Sequence, residues 1–254
     1  MIKLKCAVIG TGYLGKFHAE KYATLPDCDL VAVVDINLEK SFKAKLRAIA
    51  KEKNLILQVG HLERFNPAVL ALDKDEKPLF IESHRLAPFN PRANDVSVVL
   101  DLMIHDIDII LALVNCEVER IDASGTPVLT KGTDIANARI TFKNGCVANV
   151  TASRISMKLE RKMRLFRPSS YASVDFQNRI LQKYRTGEKE MFPNVPEIIS
   201  EEAVFETSDA LMAEIEQFVS CIQTGEQPLV TGEAARRALA TAIQITHLLE
   251  PSHH

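Results

Sequence analysis

The stretch Gly10-Thr11-Gly12-Tyr13-Leu14-Gly15 constrains the fold more than any other part of the chain. Before it, Lys3-Leu4-Lys5-Cys6-Ala7-Val8-Ile9 ends in a continuous apolar run, as a strand buried on both faces does. After it, a helical pattern runs from Lys16 to Leu25. A second apolar run, Leu30-Val31-Ala32-Val33-Val34, then closes in Asp35. Strand, glycine loop, helix and strand in that order predict a parallel βαβ unit that holds a dinucleotide. Gly10 permits the tight turn, Gly12 lets the backbone approach a pyrophosphate, and Gly15 allows close packing of helix on strand. Thr11, Tyr13 and Leu14 complete the loop, and the helix N-terminus offers unpaired N–H groups and a positive dipole end to the phosphates. Asp35 can accept hydrogen bonds from the adenosine ribose hydroxyls and would repel a 2′-phosphate, which favours NAD over NADP. Without a ligand the same residues would be a glycine-rich turn with a capping Asp; the flanking strand and helix favour the cofactor loop.

The next residues do not complete that unit. Ser41 to Lys53 reads as a helix and Leu55-Ile56-Leu57-Gln58-Val59 as one further strand ending at Gly60. A doubly wound nucleotide domain orders its strands 3-2-1-4-5-6. Two strands and one edge strand would leave the buried backbone groups of the first strand unpaired on one side. The expectation is therefore a Rossmann-type domain over residues 1–60 that lacks a segment near residues 38–43, several tens of residues long. Either the natural protein carries that segment, or the sequence records a real deletion.

The 254 residues are 46% hydrophobic and 25% charged, with a net charge of −2. That balance gives no reason to expect a nucleic acid or an anionic membrane as partner. No apolar run reaches membrane-spanning length, and the first strand begins almost at Met1, leaving no room for a signal peptide. The five cysteines, Cys6, Cys28, Cys116, Cys146 and Cys221, are scattered and never form a CxxC pair. They read as small core residues of a reduced, cytoplasmic protein. Residues 251–254 end in two histidines that look like a tag remnant rather than a metal site, and no ligand set with metal-binding spacing occurs elsewhere.

From residue 61 to 250 the pattern changes to an open mixed or antiparallel sheet with helices on one face, so the chain is α/β followed by α+β. Ile81, Ser83 and Arg85 alternate with Glu82, His84 and Leu86. Strands at 135–142 and 146–153 flank Lys143-Asn144-Gly145, a strong hairpin signal. A meander continues through 164–167, 171–176 and 180–184, and two helices close the chain, the first capped from Thr207, Ser208 or Asp209 and ending near Gly225. The stretch Val98 to Asp108 reads as a helix that is apolar except at Asp101, His105, Asp106 and Asp108. Asp101 and His105 stand four apart, hence on one face. A carboxylate and an imidazole so placed suit proton transfer, with His105 as base and Asp101 orienting it. By spacing alone, a buried His satisfied by an Asp is the favoured reading; the flanking motifs turn the balance towards proton transfer. Arg64, Arg92, His84, Arg154 and Lys158 are candidates for holding an anionic or hydroxyl-rich substrate, and Arg64 and Arg92 are singled out because the guanidinium fork suits a diphosphate.

Val8 to Gly15, then Val59-Gly60-His61-Leu62-Glu63-Arg64-Phe65-Asn66-Pro67, then Asp101 to Asp108, in that order, resemble the Gfo/Idh/MocA oxidoreductases. The resemblance covers the chain outside the suspected gap. The stretches Gly60–Pro67 and Leu86-Ala87-Pro88-Phe89-Asn90-Pro91-Arg92 look most like the branch that oxidises the 3-hydroxyl of UDP-N-acetylglucosamine. The resemblance implies an NAD(P)-dependent dehydrogenase of sugars or nucleotide sugars, with Asp101 and His105 in the active site. It also implies a homodimer or homotetramer formed through the open sheet face. A dehydrogenase of a free sugar or inositol, and a non-catalytic relative lacking part of the nucleotide domain, are the alternatives. The family's Glu-Lys-Pro lysine should precede Val59 and is absent there. Glu76-Lys77-Pro78 lies after Gly60 and reads as a charged turn leading into a strand.

Overall fold

Two parallel strands and the helix between them open the chain: β1 (Leu4–Ile9), α1 (Gly15–Thr24) and β2 (Cys28–Val34). The computed structural model describes residues 3–9, 15–34, 52, 55–73, 77–91 and 96–250, and every structural statement concerns these. Gly10 to Leu14, Asp35, Arg92, the expected helix Ser41–Lys53 and the suspected gap near residues 38–43 lie outside them. The chain divides into two compact units. One is Met1–Phe65 with Asp209–Glu233, the other Asn66–Ser208 with Ala234–His254. A single cut at residue 60 therefore misses the return of residues 209–233 to the first unit.

In the first unit Ile9 pairs with Val34, so β1 and β2 end side by side, immediately before Gly10 and Asp35 in the chain. Cys28, Ile215 and Val219 form its small core, with Leu4, Cys6, Tyr22, Leu25 and Leu211 packed against them. Ile215 and Val219 belong to the helix Ala210–Thr224, which begins at Asp209, whose carboxylate accepts from the Met212 N–H at 3.0 Å. Gly225 ends it in the left-handed conformation, φ 76°, where glycine has no Cβ to strain. The expected strand Leu55–Val59 joins neither β1 nor β2 among the described residues, whose sheet there has two strands. Gln58 instead makes an isolated antiparallel bridge with Thr231, and the Val59 N–H donates to the Val230 carbonyl at 3.1 Å. An edge strand needs a neighbouring strand to pair with, and the sequence supplies too few for that sheet.

The second unit begins with a short helix, α2 (Pro67–Leu70), capped by Asn66. Eight strands follow: β3 (Phe80–Leu86), β4 (Val118–Thr126), β5 (Ile135–Phe142), β6 (Val147–Ser153), β7 (Glu160–Arg167), β8 (Ser170–Asp175), β9 (Ile180–Phe192) and β10 (Val195–Val204). They form one sheet in the order β10-β9-β8-β7-β3-β6-β5-β4, in which β3 pairs parallel to β6 and antiparallel to β7. The Asn144-Gly145 turn joins β5 and β6, with Gly145 at φ 85°. Strand β9 runs eight residues past the expected end, and β10 is an addition. Both continue beyond the core, where Glu188, Lys189 and Glu190 are exposed and no inward alternation marks them as strand. Helix α3 (Ile104–Val114) and the last helix, Gly232–Leu249, bury Ile107, Ile110, Ala238, Ala242 and Ile245 with the inward residues Ile81, Ala138, Ile140, Val150 and Met163. Each large apolar side chain so buried contributes about 1.5–3 kcal/mol. Among the described residues no helix is long and apolar enough to cross a membrane.

Candidate active site

The helix carrying Asp101 and His105 does not start as an α-helix. Val99–Met103 is a π-turn, in which the Ile104 N–H reaches back to the Val99 carbonyl, and α3 continues from it. Ser97 secures the start: its Oγ accepts from the Val99 N–H at 3.3 Å, and its carbonyl from the Asp101 N–H at 2.9 Å. An α-helix advances about 100° per residue, so a four-residue step overshoots a full turn by about 40°. A π-turn advances less per residue, so a four-residue step through it comes closer to a full turn. Asp101 and His105 are both half-buried, while Val98, Val99, Met103 and Ile107 on the inner face are fully buried. The two are thus each partly accessible on a helix whose Val98, Val99, Met103 and Ile107 are locked in the core.

Asp106, the residue after His105, carries no chemistry that its sequence position reveals, and the structure gives it a task. Arg85 on β3 donates to it through Nε at 3.1 and 3.2 Å and through a terminal nitrogen at 2.8 Å. Both residues are nearly inaccessible, Arg85 2% and Asp106 1% exposed. The guanidinium carbon lies 5.5 Å from the centre of the Phe176 ring, and the Phe176 carbonyl accepts from Asn66 at 3.0 Å. The signal was legible. Arg85 takes an inward place in the alternation of β3, and a buried arginine requires an acidic partner.

Of the other cations considered as substrate ligands, Arg154 is 5% exposed, donates to the Val96 carbonyl and lies 4.0 Å from Asp134. Asp134 is fully buried, and its carboxylate ties down the loop before it by accepting from the N–H groups of Val128, Leu129 and Thr130 and from the Thr130 hydroxyl. Burial pushes this carboxyl up, but the four hydrogen bonds outweigh it and hold the pKa at about 2. His84 stands on the open sheet face, 3.6 Å from Glu160, and Lys158 is exposed. Lys77 is exposed too, with Nζ 3.5 Å from the Leu113 carbonyl at the far end of α3, roughly 12 Å along the helix from His105 at 1.5 Å per residue.

In the first unit the cofactor reading rests on β1, α1 and β2. The carboxyl ends of the parallel strands lie side by side, and α1 starts at Gly15, the last glycine of the loop. That arrangement fits a dinucleotide: the loop follows β1 in the chain, Asp35 follows β2, and the two strand ends share one edge of the sheet. Arg64 lies in a 3-10 turn, Leu62–Phe65, half-buried, and donates to the Leu229 carbonyl at 3.2 Å. Sequence reasoning missed Glu214. It is 5% exposed, and a Cβ added to Gly60 would lie 3.3 Å from its Oε1. Burial pushes this carboxyl up to about 7. A lone Glu on an otherwise apolar helix stripe was the available sign. Among the described residues, no group of three or more His, Cys, Asp and Glu side chains could hold a metal ion.

A cofactor-type βαβ unit and a mixed-sheet unit bearing a carboxylate–imidazole pair are the two parts of a nucleotide-dependent oxidoreductase. Comparison with known proteins agrees. The GFO/IDH/MocA C-terminal domain matches residues 78–166. The chain is 33% identical to the UDP-N-acetylglucosamine 3-dehydrogenase of Acidithiobacillus ferrooxidans over 311 aligned positions, covering 98% of each. It is 26% identical to the scyllo-inositol 2-dehydrogenase (NAD(+)) of Bacillus subtilis, covering 84% of this chain and 65% of that one. The solved structure of the Acidithiobacillus enzyme matches with a TM-score of 0.87 at 32% identity, over 98% of both chains. A scyllo-inositol dehydrogenase from Lactobacillus casei, with NAD(H) and scyllo-inositol bound, matches at 0.72 and 16% identity over 97% of both, a likeness of fold. The chain belongs to the Gfo/Idh/MocA family of oxidoreductases. Because 98% of 254 residues is about 249, roughly 60 of the 311 positions aligned with the Acidithiobacillus enzyme have no counterpart here. With both chains covered almost end to end, the missing positions are internal, and their number matches the several tens of residues expected from strand counting.

Proposed function

We propose that the protein is an NAD-dependent dehydrogenase of a nucleotide sugar that oxidises the 3-hydroxyl of UDP-N-acetylglucosamine. The observation that carries this reading is the 33% identity to an enzyme of that activity across 98% of the chain. NAD, when bound, supplies the hydride acceptor. The loop Gly10, Thr11, Gly12, Tyr13, Leu14 and Gly15 cradles its pyrophosphate, and Asp35 takes the ribose hydroxyls and selects against a 2′-phosphate. His105 accepts the hydroxyl proton as the C–H bond gives up its hydride, and Asp101 orients the imidazole and favours its charged form. Arg64 and Arg92 are the candidates for the diphosphate, because a forked guanidinium suits it. The protein works in the cytoplasm as a homodimer or homotetramer, consistent with the family resemblance.

Mixing the protein with NAD and UDP-N-acetylglucosamine and following NADH absorbance tests the substrate. Turnover of scyllo- or myo-inositol instead would favour the second reading, which the Bacillus subtilis relative supports. Failure to bind NAD at all would favour a non-catalytic relative, a reading supported by the roughly 60 missing positions. His105→Ala is expected to lower kcat about 100-fold or more, the scale of general-base catalysis, with NAD affinity within about twofold. Undiminished turnover would remove His105 from the role.

A further inference from the structure

We propose that the buried Arg85–Asp106 pair is a positioning device that fixes the rotation of the helix at His105. The proposal rests on the reading of His105 as the base. Asp106 directly follows His105, so holding its carboxylate holds the backbone from which the imidazole projects. Arg85 is a rigid holder: β3 is bonded on both sides, Arg85 standing opposite Ala152 on β6 and Arg161 on β7. Its guanidinium makes three hydrogen bonds of 2.8–3.2 Å to Asp106 and stacks near Phe176, whose carbonyl is tied to Asn66.

The need for such a holder lies one turn earlier. The π-turn at Val99–Met103 contains one residue more per hydrogen-bonded ring than an α-turn. Reverting to the α register there would rotate everything after it relative to Asp101. The apolar contacts of Met103, Ile107 and Ile110 are non-directional and tolerate some rotation. A bidentate fork does not, because its hydrogen bonds fail within a small angular error. A buried charge pair adds little net stability over an apolar pair, so its part here is a directional hold on the helix.

The test is Arg85→Met/Asp106→Leu, which removes both charges together and leaves none buried alone, in protein labelled with 13C at histidine Cε1. The His105 resonance is assigned by its loss in His105→Gln. Positioning requires that this resonance shift and broaden in the double variant while the other histidine signals stay in place. It also requires kcat to fall about tenfold or more, the cost of an ångström-scale misplacement, with KM and NAD affinity within about twofold. An unchanged His105 signal or an unchanged kcat overturns the proposal, as does a parallel change in kcat, KM and NAD affinity. Should the double variant not fold, Asp106→Asn, which keeps the volume and one acceptor, decides by the same readings. Full activity in His105→Ala would overturn the base and not the positioning, which the apo spectra judge by themselves.

Discussion

Glu214 offers a direct measure of how the first unit is held together. Its carboxyl is buried beneath Gly60, and burial raises its pKa from 4.5 to about 7. The folded protein therefore binds this proton more tightly than the unfolded chain. Between those two values the unfolded chain ionises while the folded one does not, so stability falls as pH rises from about 4.5 to about 7 and is level above. At 1.36 kcal/mol per pKa unit the whole change is about 3 kcal/mol. Glu214→Gln replaces the acid with a neutral group of the same shape. The variant should match the parent below about pH 4, exceed it by up to about 3 kcal/mol at pH 8, and lose the slope between. Thermal melts at half-unit steps from about pH 4 to 8 read this as a difference in Tm of roughly 5–10 °C at the alkaline end. His18, in the same unit, titrates with the opposite sign, since burial lowers its pKa from 6.5. It is common to both proteins and cancels in the comparison. Parallel Tm–pH curves for parent and variant would refute the reasoning, because they would mean that the carboxyl ionises in the fold at its ordinary value.

Asp134 and Lys77 give two further tests. Asp134→Ala strips the 128–130 backbone of its shared acceptor and should cost about 2–4 kcal/mol in urea unfolding. Because the Asp134 pKa is depressed from 3.8 to about 2, its contribution is present above pH 3.8 and is lost as pH falls towards 2; Asp134→Asn should lack that acid-side loss, and an unaltered acid limb would contradict it. Lys77→Ala should leave turnover within about twofold, since Lys77 lies at the opposite end of α3 from His105; a tenfold loss in kcat would place this lysine in proton transfer after all.

The sequence by itself determined the class of each half. Apolar runs ending in Gly10 and Asp35 point to a parallel βαβ unit, and the unit forms, but its strands are not covered on both faces as expected: Ala7 and Val31 are exposed on the two-stranded sheet of the described residues. The alternation through β3, β5 and β6 dictates a sheet with one buried face, and the spacing of Asp101 and His105 places them on one helix face. Counting strands also exposed an internal deficit, which the longer relative matches in size. The tertiary structure alone decided the rest. The α-register expected for Val99–Met103 gave way to a π-turn, which no local propensity marks, since its hydrogen bonds depend on where the core pins the helix. The strand expected at Leu55–Val59 lacked strand neighbours and bridged to Thr231 instead, bringing residues 209–233 into the first unit. Arg85 and Asp106 lie 21 residues apart and Gly60 and Glu214 farther still, so their pairings exist only once the chain has closed on itself. Periodicity reports which face of an element is buried; which side chains meet there is set by the packing of one element on another.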